Sequence, residues 1–317
     1  MRLVWRLLGQ IASFAALGVI LSLPLVAAFR ELGAAASTDL SRSPLMALYP
    51  VVAILLAALA SLWLAGRWLD RRPFADFGLR LSRAWALDLA FGLILGAGLM
   101  AGIFLVEWAA GWIAIDATFE VGRLDQPFWL AFVTPLITFV CVGIYEEALA
   151  RGYWLHNLAE GLNLGRLGER AALLLAWLIS SVLFGLAHLG NPYTSAISTA
   201  NLVLAGAFLG LGLVLTGRLA IPIGVHITWN LFEGNVFGFP VSGTALSQTT
   251  VIAITQAGPE LWTGGRFGPE AGLVGVLALL VGSGLTLVWV WRRSGRLSLC
   301  TRLARYAAPV IDNSAAP

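Results

Sequence analysis

The chain has 317 residues, of which 59% are hydrophobic and only 12% are charged, and its formal net charge is +3. An ordinary soluble domain is about 45–50% apolar and about 25% charged, so this composition excludes a soluble protein. Intrinsic disorder is excluded as well, because it requires low hydrophobicity and a high net charge. The mean hydropathy of +0.84 instead indicates an integral membrane protein.

A helix that crosses a membrane needs about 20 mostly apolar residues. The chain offers about eight such runs, and no soluble domain fits between them. We therefore predict an all-α fold, a polytopic bundle of transmembrane helices that forms a single integral membrane domain over residues 1–317. The first run could pass for a signal peptide, but its length favours a retained helix. The predicted spans are 7–29, 44–66, 84–107, 128–150, 171–188, 195–215, 219–238 and 270–291.

The basic residues are all arginines, and they flank the spans instead of forming a patch between aromatic residues. We therefore expect no nucleic-acid partner. With the N-terminus inside, 16 of the 20 arginines lie on the inner side of the membrane. This excess predicts a multi-pass protein of the plasma membrane with both termini in the cytoplasm. The outer arginines are Arg30, Arg42, Arg123 and Arg266.

Two segments outside the spans carry less regular patterns. Arg151–Glu169 mixes polar and apolar residues, which predicts an amphipathic stretch on the membrane surface. The connection 239–269 shows neither a strand period nor a helix period and is predicted to be an irregular loop. Cys141 in a span and Cys300 in the tail are expected to be free thiols.

The fourth span contains two adjacent acids, Glu146 and Glu147, and Arg151 follows. Ionisable groups within spans are costly and often mark function. Glu147 and Arg151 are four residues apart and are predicted to pair on one helix face. Glu146 is rotated by about 100° and lacks that partner. An unpaired carboxyl group in a low-dielectric site suits a general acid or base. A charge cluster among lipid headgroups is the alternative.

Two of the three histidines also fall in predicted spans. His188 ends the fifth span and is either functional or a helix cap. His226 and Asn230 share a helix face, and both side chains can donate hydrogen bonds to a developing oxyanion. A structural contact between helices is the alternative for this pair. Asp88, an acid near the membrane interface, and Glu233, near a span end, are expected to have purely structural roles. We assign no role to His156.

Together, a carboxylate pair, two imidazoles and a carboxamide suffice to activate water and to stabilise a tetrahedral intermediate. The residues therefore predict hydrolysis of an amide bond within or beside the membrane, and they also allow ester hydrolysis.

The three motifs, in this order, resemble the CPBP family of intramembrane proteases, which includes the CAAX prenyl proteases of the Ras-converting-enzyme type and is also called the Abi family. The matched core runs over residues 128–238, about a third of the chain. The family pattern is E-E-x-x-x-R, F-x-x-x-H and H-x-x-x-N or H-x-x-x-D. In this chain it is filled by Glu146, Glu147 and Arg151, by Phe184 and His188, and by His226 and Asn230.

The resemblance implies an intramembrane endopeptidase that acts on a membrane-associated peptide or protein in the lipid bilayer. Glu146 would activate the attacking water, and His188 would help to hold that water. His226 and Asn230 would form the oxyanion site.

Glu147 and Arg151 would, by the same resemblance, orient Glu146. The predicted depths in the membrane conflict with a single shared site. Glu146 and His226 lie near the inner face, whereas His188 lies near the outer end of its span. Convergence then requires tilted or unequal helices.

The resemblance leaves the cofactor open, because a metal-free mechanism is associated with a family that looks at first like metalloproteases. The sequence has no His-Glu-x-x-His zinc signature. Glu146, His188 and His226 could still hold zinc with one open position. We expect no metal, with zinc as the alternative.

Other functions remain as alternatives. A non-catalytic immunity or scaffold protein could bind a peptide in the same cavity. An ion carrier is disfavoured, because the spans hold too few acids for a relay. Catalysis by Cys141 is disfavoured, since a helix rotates that thiol by about 140° from Glu146.

Overall fold

The structure is a computed structural model that describes residues 2–41, 44–122, 126–165, 167–244 and 249–306. Within these ranges, seven helices are long and apolar enough to cross a membrane. This finding confirms the predicted all-α polytopic bundle. Arg42, Arg123 and Arg166, which entered the charge balance, lie outside the described residues. The cytoplasmic position of the termini stays a prediction.

Helices make up most of the secondary structure, and one pair of strands accompanies them. The helices are α1 (Arg2–Ser41), α2 (Pro44–Ala65), α3 (Arg83–Ala109), α4 (Phe128–Glu147), α5 (His156–Leu162), α6 (Gly168–Ala187), α7 (Ala196–Thr216), α8 (Ala220–Leu231), α9 (Glu260–Thr263) and α10 (Leu273–Ser294). The strands are β1 (Ile113–Glu120) and β2 (Thr250–Gln256). Wider π-helical turns cover Gly66–Asp70, Ala148–Leu155 and Phe232–Val236.

The candidate spans agree with seven of the predicted runs. The predicted span 219–238 is the exception, because it corresponds to α8 and the π-helical turn after it. All 12 residues of α8 are buried, and with the π-helical turn the continuous helix covers 220–236, which is only 17 residues. This length falls short of the about 20 residues that a transmembrane helix needs. α8 packs against α3, α4 and α7, so its apolar residues face protein and not lipid. Hydropathy alone does not distinguish these two environments.

The fourth span is much longer than predicted. α4, the π-helical turn Ala148–Leu155 and α5 form one continuous helical segment, Phe128–Leu162, of 35 residues. The prediction of a surface stretch from Arg151 is therefore wrong for its first half. Arg151, His156 and Asn157 are buried and have polar partners inside the protein. Glu146 consequently lies near the middle of this long helix, which removes the conflict of depths.

α3 and α8 pack closely through glycines. A Cβ atom on Gly92 would lie 2.5 Å from the carbonyl oxygen of Ile221, and one on Gly224 would lie 2.6 Å from that of Leu89. Small residues allow such close approach of helix backbones within membranes. The largest buried apolar cluster surrounds this contact and joins α3, α7, α8 and α10. The position of α8 in the bundle is fixed accordingly.

The predicted irregular loop contains regular structure. β2 pairs antiparallel with β1, in a register that runs from Ile113 opposite Gln256 to Glu120 opposite Thr250. The short helix α9 follows. The loop prediction is wrong for these segments because β2 is completed by a strand distant in sequence. Residues 245–248 of the loop lie outside the described residues.

Candidate active site

Three of the predicted residues line one cavity of about 590 Å³, which we call the central cavity. They are Glu146 from α4, His188 just after α6, and Asn230 from α8. Most other lining side chains are apolar, among them Ile54 of α2 and Trp154. The fold thus brings together polar groups that the sequence places more than 80 residues apart.

Glu146 faces the central cavity with a side chain that is 23% exposed. Its Oε1 accepts a hydrogen bond of 3.2 Å from the hydroxyl group of Tyr145. Its Oε2 lies 3.8 Å from Nε2 of His226. Within the described part of the chain Glu146 has no arginine partner, as predicted from its position on the helix. The carboxylate is therefore available to the cavity.

Glu147 and Arg151 form the predicted pair. Nη1 of Arg151 donates to Oε1 of Glu147 at 2.8 Å, and both side chains are fully buried. Nη2 of Arg151 donates to the carbonyl oxygen of Gly206 at 3.1 Å. The guanidinium group also lies over the ring of Phe184, 4.1 Å from its centroid. Phe184 and Arg151, which belong to two different sequence motifs, thus pack against each other.

His226 lies between the two carboxylates. Nδ1 faces Oε1 of Glu147 at 2.8 Å, while Nε2 is directed towards Glu146. The resemblance implied that Glu147 and Arg151 orient Glu146. The hydrogen bonds of both side chains lead to His226 instead. Glu147 thereby fixes the orientation of the imidazole ring, and Arg151 fixes Glu147.

His188 caps the end of α6 and also lines the central cavity, while its functional role stays a prediction. Its Nδ1 lies 2.9 Å from the carbonyl oxygen of Phe184, one of the last carbonyl groups of α6. Helix ends leave such carbonyl groups without a partner in the helix, so the ring caps α6. The same ring lines the central cavity. Since Nδ1 is engaged, only Nε2 is available to the cavity.

The donor set of one carboxylate and two imidazole nitrogens is of the type that binds zinc with an open position. In this arrangement, however, no three His, Cys, Asp or Glu side chains among the described residues come close enough to hold a metal ion. The arrangement of Glu146, His188 and His226 thus does not fit a metal, and we derive no step through one.

Two side-chain contacts were not predicted from the sequence. Tyr145 bonds to Glu146, and its hydroxyl group beside an acid in an apolar helix was the available signal. Asp88, expected to be an interfacial acid, is 1% exposed and bridges Arg218 and Arg293.

Cys141 and Cys300 are free thiols, as predicted, and Cys141 is buried.

Glu233 and His156 lie apart from the central cavity. Glu233 is fully buried just after α8. His156 contacts Arg72 and Glu160 in an ion-pair network. Neither side chain lines the central cavity.

Residues 127–232 match the family model described as type II CAAX prenyl endopeptidase, Rce1-like. The matched range is about a third of the chain, nearly coincides with the predicted core and contains every motif residue. Neither a curated protein nor a solved structure matches the chain. The resemblance inferred from the motifs is thereby confirmed: residues 127–232 of this multi-pass membrane protein match the Rce1-like model of type II CAAX prenyl endopeptidases.

Proposed function

We propose that this protein is an intramembrane endopeptidase in which Glu146 activates a water molecule that attacks a peptide bond of a membrane-associated substrate. The observation that carries the proposal is the placement of Glu146 beside Nε2 of His226, with Asn230 lining the same apolar cavity. The match to the protease family supports a peptide over an ester substrate.

The gap between Glu146 and His226 suits a water molecule. Oε2 and Nε2 are 3.8 Å apart, too far for a direct hydrogen bond. A water molecule about 2.8 Å from each atom fits between them with normal hydrogen-bond lengths. Glu146 takes one proton of this water as the oxygen attacks the carbonyl carbon. The same proton then passes to the leaving amine as the carbon–nitrogen bond breaks, which completes hydrolysis.

The oxyanion of the tetrahedral intermediate needs donors. As the water attacks, Nε2–H of His226 passes from the water to the oxyanion, and the amide of Asn230, one helical turn away on α8, supplies the second donor. With Nδ1–H donated to Glu147, a proton on Nε2 makes the ring an imidazolium. Its charge, together with that of Arg151, balances the two carboxylates. The buried cluster is then neutral before the water is deprotonated.

The lining of the central cavity supports the type of substrate. Pro50, Val51 and Ile54 of α2 face Phe139 and Val142 of α4, so an apolar peptide segment is favoured. An apolar site of low dielectric constant also strengthens the hydrogen bonds to the oxyanion. No described lining residue is an arginine or lysine that could bind a terminal carboxylate. This lining favours cleavage inside a chain over removal of a terminal residue.

The proposal is tested with purified protein in lipid vesicles and two quenched fluorescent peptides. One peptide ends in a farnesylated Cys-aliphatic-aliphatic-X sequence, because the matched family is described as CAAX prenyl endopeptidases. The other has the same sequence and an N-terminal acyl chain instead of the prenyl group. The wild-type protein is expected to cleave an internal bond of at least one peptide, as identified by mass spectrometry.

The matched variants are Glu146→Gln and Glu120→Gln. Both remove one carboxylate, but Glu120 is exposed on β1. Loss of a general base costs about 10²–10⁴-fold in rate, so Glu146→Gln should be nearly inactive while Glu120→Gln cleaves like wild type. Binding of both peptides without cleavage by the wild-type protein would favour the scaffold alternative.

A further inference from the structure

A second cavity of about 590 Å³ lies where α7 and α10 end and α3 begins, and we call it the arginine cavity. Its lining contains four arginines and only one carboxylate. No motif residue of the protease family lines it. The four arginines are Arg218, Arg293, Arg296 and Arg302, and the acid is Asp88.

Asp88 is already saturated by its neighbours. Its Oδ2 accepts from Arg218 at 2.7 Å, and its Oδ1 accepts from Arg293 and from the indole of Trp289, both at 3.0 Å. One carboxylate therefore faces two guanidinium groups, which leaves a surplus of one positive charge. Both arginine side chains remain 29% exposed and can accept a further partner.

The other two arginines add to this surplus. Within the described part of the chain, neither Arg296 nor Arg302 lies within ion-pair distance of a carboxylate. Nε of Arg302 donates instead to the thiol sulfur of Cys300 at 3.1 Å. The lining thus carries three more positive charges than negative ones. Like charges so close together are stabilised by a bound anion.

The cavity is built by specific packing of the tail. The backbone N–H of Cys300 donates to the carbonyl oxygen of Val214 at 2.7 Å, which holds the tail on the end of α7. Gly217 caps α7 with φ of +70°, and a Cβ atom there would lie 2.7 Å from Nη2 of Arg302. A side chain at this position would displace the arginine. The absence of one keeps Arg302 at the cavity wall.

We propose that the arginine cavity binds the phosphate group of an anionic phospholipid. Guanidinium groups match phosphate in shape and charge. The cavity lies at the ends of three candidate spans, the level of the lipid headgroups, where basic pockets between helices bind such groups. Leu297, between the lining residues Arg296 and Ser298, is 51% exposed, which offers apolar surface to an acyl chain.

The test titrates the full-length protein, in a zwitterionic detergent, with phosphatidylglycerol, phosphatidylcholine or inorganic phosphate. Native mass spectrometry counts the bound molecules. The double variant Arg296→Gln/Arg302→Gln removes the two arginines without a carboxylate partner. The control Arg67→Gln/Arg292→Gln removes two exposed arginines that do not line the cavity. Arg296→Gln alone keeps the test decisive if the double variant does not fold.

Phosphatidylglycerol is expected to bind the wild-type protein saturably and more tightly than phosphatidylcholine. Each lost charge-assisted hydrogen bond should weaken this binding about tenfold, whereas the control variant should bind like wild type. Equal weakening in both double variants would mean attraction by general surface charge and would overturn the proposal. Tight binding of inorganic phosphate that displaces the lipid would identify a soluble anion as the ligand and overturn the lipid assignment.

Discussion

Glu147 and His226, 79 residues apart in the sequence, are joined by a contact of 2.8 Å between Oε1 and Nδ1. The same Oε1 atom accepts the hydrogen bond from Arg151. A buried chain of arginine, carboxylate and imidazole therefore ends 3.8 Å from Glu146, which lines the central cavity. Of the two adjacent acids, Glu146 faces the cavity, whereas Glu147 positions the histidine.

The pair of Glu147 and Arg151 predicts strong coupling in stability. Both side chains are fully buried, so Glu147→Gln or Arg151→Met alone leaves a charge without its partner. Each single variant should lose about 3–5 kcal/mol in the free energy of unfolding. The double variant should lose less than the sum, because no unpaired charge of this pair remains. Unfolding by SDS titration measures all four proteins, and strictly additive losses would contradict the account.

Substitution of Asn230 is expected to lower the turnover number without preventing the protein from folding. In Asn230→Leu the side chain keeps about its size, but the amide donor to the oxyanion is lost. The turnover number should fall about 10²–10³-fold, the usual cost of one oxyanion donor. Asn163→Leu makes the same change at the end of α5, where the amide bonds to Ala304, and should retain activity. Equal rates for the two variants would remove Asn230 from the oxyanion site.

The side-chain geometry predicts independence from metal. Because no three described ligands converge, dialysis against 1,10-phenanthroline should leave the cleavage rate unchanged, and the purified protein should contain no stoichiometric zinc by mass spectrometry. Activity that is lost on chelation and restored by zinc would instead assign Glu146, His188 and His226 as its ligands.

The contact between α3 and α8 predicts opposite outcomes for two neighbouring glycines. A Cβ atom on Gly96 would lie 2.5 Å from the carbonyl oxygen of Val225, whereas one on Gly98 meets nothing within 4 Å. Gly96→Ala should therefore cost about 1–3 kcal/mol by overpacking. Gly98→Ala should be neutral or slightly stabilising, because alanine favours helix. Thermal unfolding of the two variants in detergent measures the difference, and similar midpoints would contradict the described packing.

Much of the fold follows from local composition. Long apolar runs must form helices in a bilayer, because every backbone polar group needs a partner within the chain. The runs near 84–107 and 270–291 therefore appear as α3 and α10. The length of the fourth span did not follow, because Arg151 and Asn157 look like surface residues until their internal partners are known.

The candidate site shows the same division. Helical spacing alone was enough to pair Glu147 with Arg151 and to leave Glu146 unpaired. The contact of Glu147 with His226 depends on how α4 and α8 pack, which no local pattern reports. β1 and β2 escaped for a similar reason, since each strand is completed only by the other.

The most direct test measures peptide affinity and single-turnover cleavage on the same vesicles for wild type and Glu146→Gln. The account predicts that the variant binds the peptide with unchanged affinity and loses at least about 100-fold in the cleavage rate, because only the base is removed. Cleavage by Glu146→Gln at the wild-type rate would contradict the account.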